Sequence, residues 1–221
     1  MLRAVIFDLD DTLLDHRSAA AEAVSGWAAS LGVAHPDPVA RWAELTDIHY
    51  PRYQRREIDF VGQRRARMRD FVARPLGDAE ADDLFERYFD RYRAAWRPFP
   101  DALAAVRRAR AAGLRAAVLT NGDADRQSEK VATIGLAPLL DHVVASSELT
   151  ASKPDPRAFA ETLQCIGARP DEALMVGDSL ENDVHGALAA GLDAVLLDRD
   201  GRSDDPRIRR IRTLDELTFA P

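Results

Sequence analysis

The chain has little lysine and almost no cysteine. Of its 30 lysine and arginine residues only Lys130 and Lys153 are lysines, and Cys165 is the single cysteine in 221 residues. One cysteine excludes an intrachain disulfide and fits a reducing, cytoplasmic setting. The preference for arginine, with abundant alanine, points to coding bias, and it makes each lysine worth inspecting. Long hydrophobic runs are also missing. The apolar start, Ala4–Phe7, is far too short for a signal segment or a membrane span, and no later stretch approaches one. Nor is there an excess of positive charge: the formal net charge of −7 argues against a general nucleic-acid binder. Internal repeats and low-complexity tracts are absent as well.

What is present describes an ordinary globular protein, 46% hydrophobic and 30% charged, long enough for one domain with a large insertion or for two small ones. Four short apolar runs read as buried parallel strands, Ala4–Phe7, Arg115–Leu119, Ala173–Val176 and Ala194–Leu197, with a weaker fifth at His142–Ala145. Helical stretches at about 101–112, 124–134, 156–167 and 181–190 alternate with the later strands. That alternation predicts an α/β domain with a parallel sheet between layers of helix.

Residues 16–96 break the rhythm. They read as consecutive helices, Ser18–Leu31, Pro38–Tyr50, Phe60–Ala73 and Asp78–Trp96, with no strand pattern between them. All three tryptophans and all four tyrosines fall in 27–96, as expected where a small helical module must fill its core with bulky side chains. The expected organisation is a core domain of residues 1–15 and 97–221 and an inserted helical domain of residues 16–96. The tail from Asp204 to Pro221 is arginine-rich and is expected to end in a short helix at Leu214–Leu217.

The chemistry sits at the strand ends. The first apolar run stops abruptly at Asp8, Asp10, Asp11 and Thr12. Two carboxylates two positions apart repel each other, and burial makes this worse unless a hard cation lies between them. The second run ends in Thr120-Asn121-Gly122, a hydroxyl, an amide and a glycine suited to hold an oxyanion. Lys153 precedes Pro154 at the start of a helix, and Val176 runs into Gly177-Asp178-Ser179, followed by Asn182-Asp183. Taken singly, Asp178 and Asp183 are ordinary cap residues, Thr120-Asn121 ordinary turn residues, and Lys153 a solvated charge. Gathered at the carboxyl edge of one parallel sheet, where α/β proteins bind ligands, they suit phosphoryl transfer.

With these four clusters in order, the chain resembles the haloacid dehalogenase-like superfamily, in the branch with a helical cap after the first strand. The resemblance runs over residues 4–198. It implies a Rossmann-like doubly wound parallel sheet carrying an all-helical cap, and a Mg2+-dependent phosphatase acting on a small phosphorylated metabolite. Asp8 is then the nucleophile that becomes an aspartyl-phosphate. Asp10 is the general acid and base, with its backbone carbonyl on the metal. Thr120 and Asn121 hold phosphoryl oxygens, and Lys153 offsets charge on nucleophile and phosphate. Asp178 binds Mg2+ directly and Asp183 supports the metal shell. Gly122 and the backbone amides of Leu9 and Asp11 are further phosphate contacts. No nucleic-acid or membrane partner is implied, and the oligomeric state is not legible.

Within the resemblance, Asp10 discriminates. True haloacid dehalogenases lack a second acid there, because a departing halide needs no proton. Phosphonoacetaldehyde hydrolases use a cap lysine, and residues 16–96 contain none. A sugar phosphomutase, a non-catalytic phosphometabolite-binding module and, less favoured, a 2-haloacid dehalogenase remain as alternatives. Segment 52–74 carries eight arginines against Glu57, Asp59 and Asp70, a local balance of +5. This reads either as steering of anionic substrates or, more plainly, as a solvated helix face. Arg52, Tyr53 and Arg56 are the candidates there for contact with a substrate; His16, close behind the first acidic cluster, is another, whereas His185 reads as a surface residue.

Overall fold

The computed structural model describes residues 1–203 and 205–219, so Asp204, Ala220 and Pro221, at the two ends of the tail considered above, lie outside the described residues. The chain divides into two compact units, Met1–Asp15 with Arg97–Pro221, and His16–Trp96.

In the first unit, six parallel strands form one sheet: β1 (Ala4–Phe7), β2 (Arg115–Thr120), β3 (His142–Ala145), β4 (Ala173–Gly177), β5 (Asp193–Leu197) and β6 (Arg210–Ile211). Their order is β3-β2-β1-β4-β5-β6. The four residues of β1 are fully buried, which explains why the run is apolar without alternation. One side of the sheet presents Ala4, Ile6, Ala117, Leu119, Ala173 and Met175 to a cluster that includes Phe159, Leu163 and Ile166 of the helix Pro156–Ile166. Asp155 caps that helix by accepting from the N–H of Arg157, and Pro156 occupies its first turn, where no intrahelical donor is needed.

After β1 the chain builds outward through β2 and β3, then returns to place β4 on the other side of β1. The strand order therefore reverses between β1 and β4, and an open α/β sheet offers a crevice at the carboxyl ends of such a pair. Asp8 follows β1 and Asp178 follows β4, one on each side of that reversal.

Several boundaries differ from the sequence reading. The fourth strand is followed by a wide turn, Leu180–His185, in which the Val184 N–H reaches back five residues to the Ser179 carbonyl, and only then by a short α-helix, Gly186–Ala189. Such widened turns concentrate at functional sites. The pair Arg210–Ile211 adds a sixth strand too short to be legible, and the expected terminal helix is a single 3-10 turn, Leu214–Glu216.

The second unit comprises the helices His16–Val24, Trp27–Ser30, Pro38–Gln54, Phe60–Val72 and Asp78–Ala94. The expected single helix over Ser18–Leu31 is broken at Gly26, whose φ of 77° lies in the left-handed region. Pro38–Gln54 runs past Pro51, which costs one backbone bond in the last turn without ending the helix. The aromatic side chains do form the core: Trp42 lies 4.5 Å from Tyr88 between ring centres, and Trp27 stacks on Phe71 at 5.7 Å.

The arginine-rich segment is largely neutralised within this unit. Arg65 reaches Asp78 and Asp82, Arg64 reaches Glu86, Arg69 reaches Asp78, and Arg74 reaches Glu80. Four of the eight arginines thus meet acids of the helix Asp78–Ala94, a pairing that neither the steering nor the solvated-face reading foresaw. His16 accepts or donates through Nδ1 to the Tyr92 hydroxyl at 2.5 Å.

The chain leaves and re-joins the first unit at adjacent points. The Asp15 N–H donates to the Arg97 carbonyl at 3.1 Å, the Phe99 N–H donates to the Leu13 carbonyl at 2.9 Å, and Leu14 bridges to Pro98.

Candidate active site

Beyond β1 the backbone turns at once. The Leu9 carbonyl accepts from the N–H groups of Thr12, Leu13 and Leu14, and the Asp11 N–H donates to the Leu14 carbonyl at 2.7 Å. Asp11 has φ 64°, a left-handed conformation that aspartate tolerates better than most residues. This tight loop separates Asp8 from Asp10, so the two carboxylates have different neighbours rather than sharing one strand face.

Asp8 is buried beside Lys153, whose Nζ donates to Asp8 Oδ1 at 2.7 Å and to Asp183 Oδ1 at 2.6 Å. The other oxygen of Asp183 accepts from the Ser179 N–H at 3.0 Å. Gly177 makes this possible: a β-carbon there would stand 2.2 Å from Asp183 Oδ2. Burial pushes the Asp8 carboxyl well above the usual carboxylate range; Lys153 opposes the rise, and the Asp183 and Asp178 carboxylates add to it. For Lys153, burial pulls the ammonium down, yet the adjoining Asp183 and Asp8 carboxylates carry it above the ordinary lysine value.

Asp8, Asp178 and Asp183 each offer a carboxylate oxygen within 4.8 Å of the others. Three carboxylates face one ammonium, so the cluster carries excess negative charge in a mostly buried place. Oxygen donors in that number and charge fit a hard divalent cation. The Asp10 carboxylate lies outside this triplet. Of the acids expected at the metal, Asp8, Asp178 and Asp183 lie together, and Asp10 offers its backbone carbonyl as the ligand candidate.

Asp10 is held elsewhere. Lys130 Nζ donates to both its oxygens, at 2.8 and 2.7 Å, and Gln127 Nε2 donates to Oδ2 at 3.2 Å. Both partners come from the helix Ala124–Thr133, which Asp123 caps by accepting from the Arg126 N–H. Gln127 Nε2 also donates to Thr120 Oγ1 at 2.5 Å. A hydroxyl that accepts from Gln127 directs its own hydrogen elsewhere, which orients Thr120 as a donor.

Three residues take parts other than those the sequence suggests. Both ends of the Asn121 amide engage the Lys153 backbone, Nδ2 on the carbonyl at 2.8 Å and Oδ1 on the N–H at 2.9 Å, so this side chain fixes the lysine loop. The Gly122 N–H donates to Ser146 Oγ at 3.0 Å, and a β-carbon at Gly122 would press on the Gln127 side chain at 3.0–3.1 Å. Gly122 therefore makes room for Gln127 instead of offering its amide to a phosphate. The Asp11 N–H is likewise engaged within its loop, by Leu14.

Sequence reasoning noted Lys130 and Thr12 without giving them a role, and missed Gln127. Thr12 is fully buried, and its Oγ1 accepts from the Asp178 N–H at 3.1 Å. The scarcity of lysine was a usable signal for Lys130, since both lysines of the chain meet carboxylates of the loop after β1. His185 is exposed and pairs with Glu181 at 3.1 Å, away from this cluster of partners.

A family model described as haloacid dehalogenase-like hydrolase matches residues 2–191. The chain belongs to that family. It is 33% identical to a phosphoserine phosphatase of Thermus thermophilus, over 99% of each chain. It is also 29% identical to (S)-2-haloacid dehalogenase 1 of a Pseudomonas species, over 100% of this chain and 90% of the relative. Among solved structures, the magnesium-bound HAD-hydrolase YfnB from Bacillus subtilis shares the fold with a TM-score of 0.79 at 22% identity, over 97% of this chain and 96% of that one. The doubly wound α/β fold is thus the fold of the family. Among the described residues, no helix is long and apolar enough to cross a membrane.

Proposed function

We propose that the protein is a phosphatase that hydrolyses a small phosphorylated metabolite through an aspartyl-phosphate on Asp8, with Mg2+ as its cation. It is a phosphoric monoester hydrolase, a reading supported by the family and by the phosphatase relative. The single observation that carries it is the separation of two carboxylates in one loop: Asp8 pairs with Lys153 inside an acidic triplet, and Asp10 pairs with Lys130 outside it. This separation supports reading one acid as the nucleophile and the other as the group that transfers a proton.

When bound by Asp8, Asp178 and Asp183, with the Asp10 carbonyl, Mg2+ supplies the positive charge that lets an anionic nucleophile approach an anionic phosphate. A carboxylate oxygen of Asp8 attacks phosphorus, and the ester bond to the leaving oxygen breaks. With Lys130 yielding one of its two oxygens to a proton, Asp10 in its acid form delivers that proton to the leaving oxygen, which departs as an alcohol. Lys153 offsets charge on the nucleophile, and Thr120 donates its hydroxyl hydrogen to a phosphoryl oxygen. The Leu9 N–H is a further backbone donor for the phosphate. Asp10, now ionised, takes a proton from water as the water attacks the phosphorus, which releases inorganic phosphate and restores both acids.

The dehalogenase relative supports a second reading, which Asp10 disfavours, since halide displacement needs no proton donor. The test is turnover of p-nitrophenyl phosphate with Mg2+. The native protein should release phosphate, chelation should stop it, and Asp8→Asn should lower kcat by about 10³-fold or more. Halide release from a 2-haloacid without added metal, and no phosphate release from any phosphoester, would reverse the conclusion.

A further inference from the structure

Both lysines of this chain are buried, and each meets a different carboxylate of the loop after β1. Lys153 meets Asp8 and Lys130 meets Asp10. A buried ammonium is costly unless its partner repays the lost hydration, so Lys130 is not an incidental surface charge. It contacts both Asp10 oxygens, and Gln127 secures one of them from a position three residues earlier on the same helix face. Gln127 in turn has its place because residue 122 lacks a side chain.

We propose that Lys130, backed by Gln127, is a positioning residue that keeps the Asp10 carboxylate out of the acidic triplet and available for proton transfer to the leaving group. This inference rests on the phosphatase reading above. Asp10 stands two residues from Asp8. A cation held by the triplet would attract a carboxylate on so short a tether. The bidentate pair with Lys130 opposes that collapse, and Gln127 fixes the orientation while also setting the Thr120 hydroxyl.

The role separates from a merely structural one by leaving group. Expulsion of phenolate needs a proton far more than expulsion of 2,4-dinitrophenolate. The phosphorylation step is read as the first-turnover release of each phenol from phenyl phosphate and from 2,4-dinitrophenyl phosphate, with Mg2+ present. Lys130→Met should slow the phenyl ester by about 10²-fold, the scale of general acid catalysis, and the dinitrophenyl ester at least tenfold less than that. Asp10→Asn should show the same selectivity. Adding Lys130→Met to Asp10→Asn should cost nothing further, because the lysine acts through the carboxylate it holds. The double variant removes both charges together, so it also serves if Lys130→Met alone does not fold.

Equal slowing of the two esters by Lys130→Met, no slowing of either, or a further loss in the double variant overturns the positioning role. A native protein inactive on both esters, or an Asp10→Asn variant without leaving-group selectivity, overturns the phosphatase reading instead, and the role of Lys130 falls with it.

Discussion

The Asp178 N–H donates to the Thr12 hydroxyl at 3.1 Å, joining positions 166 residues apart. Thr12 closes the loop that carries Asp8 and Asp10, and Asp178 opens the loop after β4. This one bond ties the loop of Asp8 and Asp10 to a candidate metal ligand. Thr12 is itself held, since Arg199 donates to its carbonyl at 3.1 Å.

Thr12→Val should therefore leave the Asp178 amide without its acceptor, at a cost of about 1–3 kcal/mol in stability. The Mg2+ concentration for half-maximal activity should rise several-fold, and Thr12→Ser should restore it. Thermal unfolding and a metal titration of the three proteins decide the matter, and an unchanged metal dependence in Thr12→Val would remove the link.

Gly177 is fixed by space. A methyl group there would collide with Asp183 Oδ2, which is pinned by Ser179 while its other oxygen holds Lys153. Gly177→Ala should cost about 1–3 kcal/mol as overpacking and should displace Asp183 from the lysine. We expect at least a tenfold loss of turnover with circular dichroism preserved. Near-native kinetics would show that Asp183 can move without consequence.

Acidification should loosen the junction of Arg199, Thr213 and Leu214 through Asp101. Its carboxylate accepts from Arg199, from the Thr213 hydroxyl at 2.7 Å and from the Leu214 N–H at 2.8 Å. Burial alone would raise this carboxyl, but the Arg199, Thr213 and Leu214 donors outweigh it and hold it below its ordinary value of 3.8. A depressed carboxylate adds stability above the unfolded value and loses it as pH falls through the folded one. The melting temperature of the native protein should thus fall more steeply below about pH 4 than that of Asp101→Asn. Parallel curves would remove Asp101 from the account.

The strand ends were legible because chemistry interrupts apolar runs there. Asp8 after Phe7 and Asp178 after Gly177 stand out in any reading of the chain. Partners across the fold were not. Apart from the rarity of lysine, nothing local distinguishes Lys130 or Gln127 from other polar residues of an amphipathic helix, and which face meets Asp10 is decided by packing. The same holds for Asn121, whose amide reads as an oxyanion contact until Lys153 is seen to occupy both its ends. Gly26 and the wide turn at Leu180–His185 escaped notice because a break of one residue hardly alters helical periodicity.

The Asp15 N–H bonds to the Arg97 carbonyl, so the helical excursion starts and finishes at neighbouring backbone positions. A graft fastened this way imposes almost no constraint on its host. Evolution, or a protein engineer, can exchange the insert like a tool bit while the machinery driving it keeps its shape.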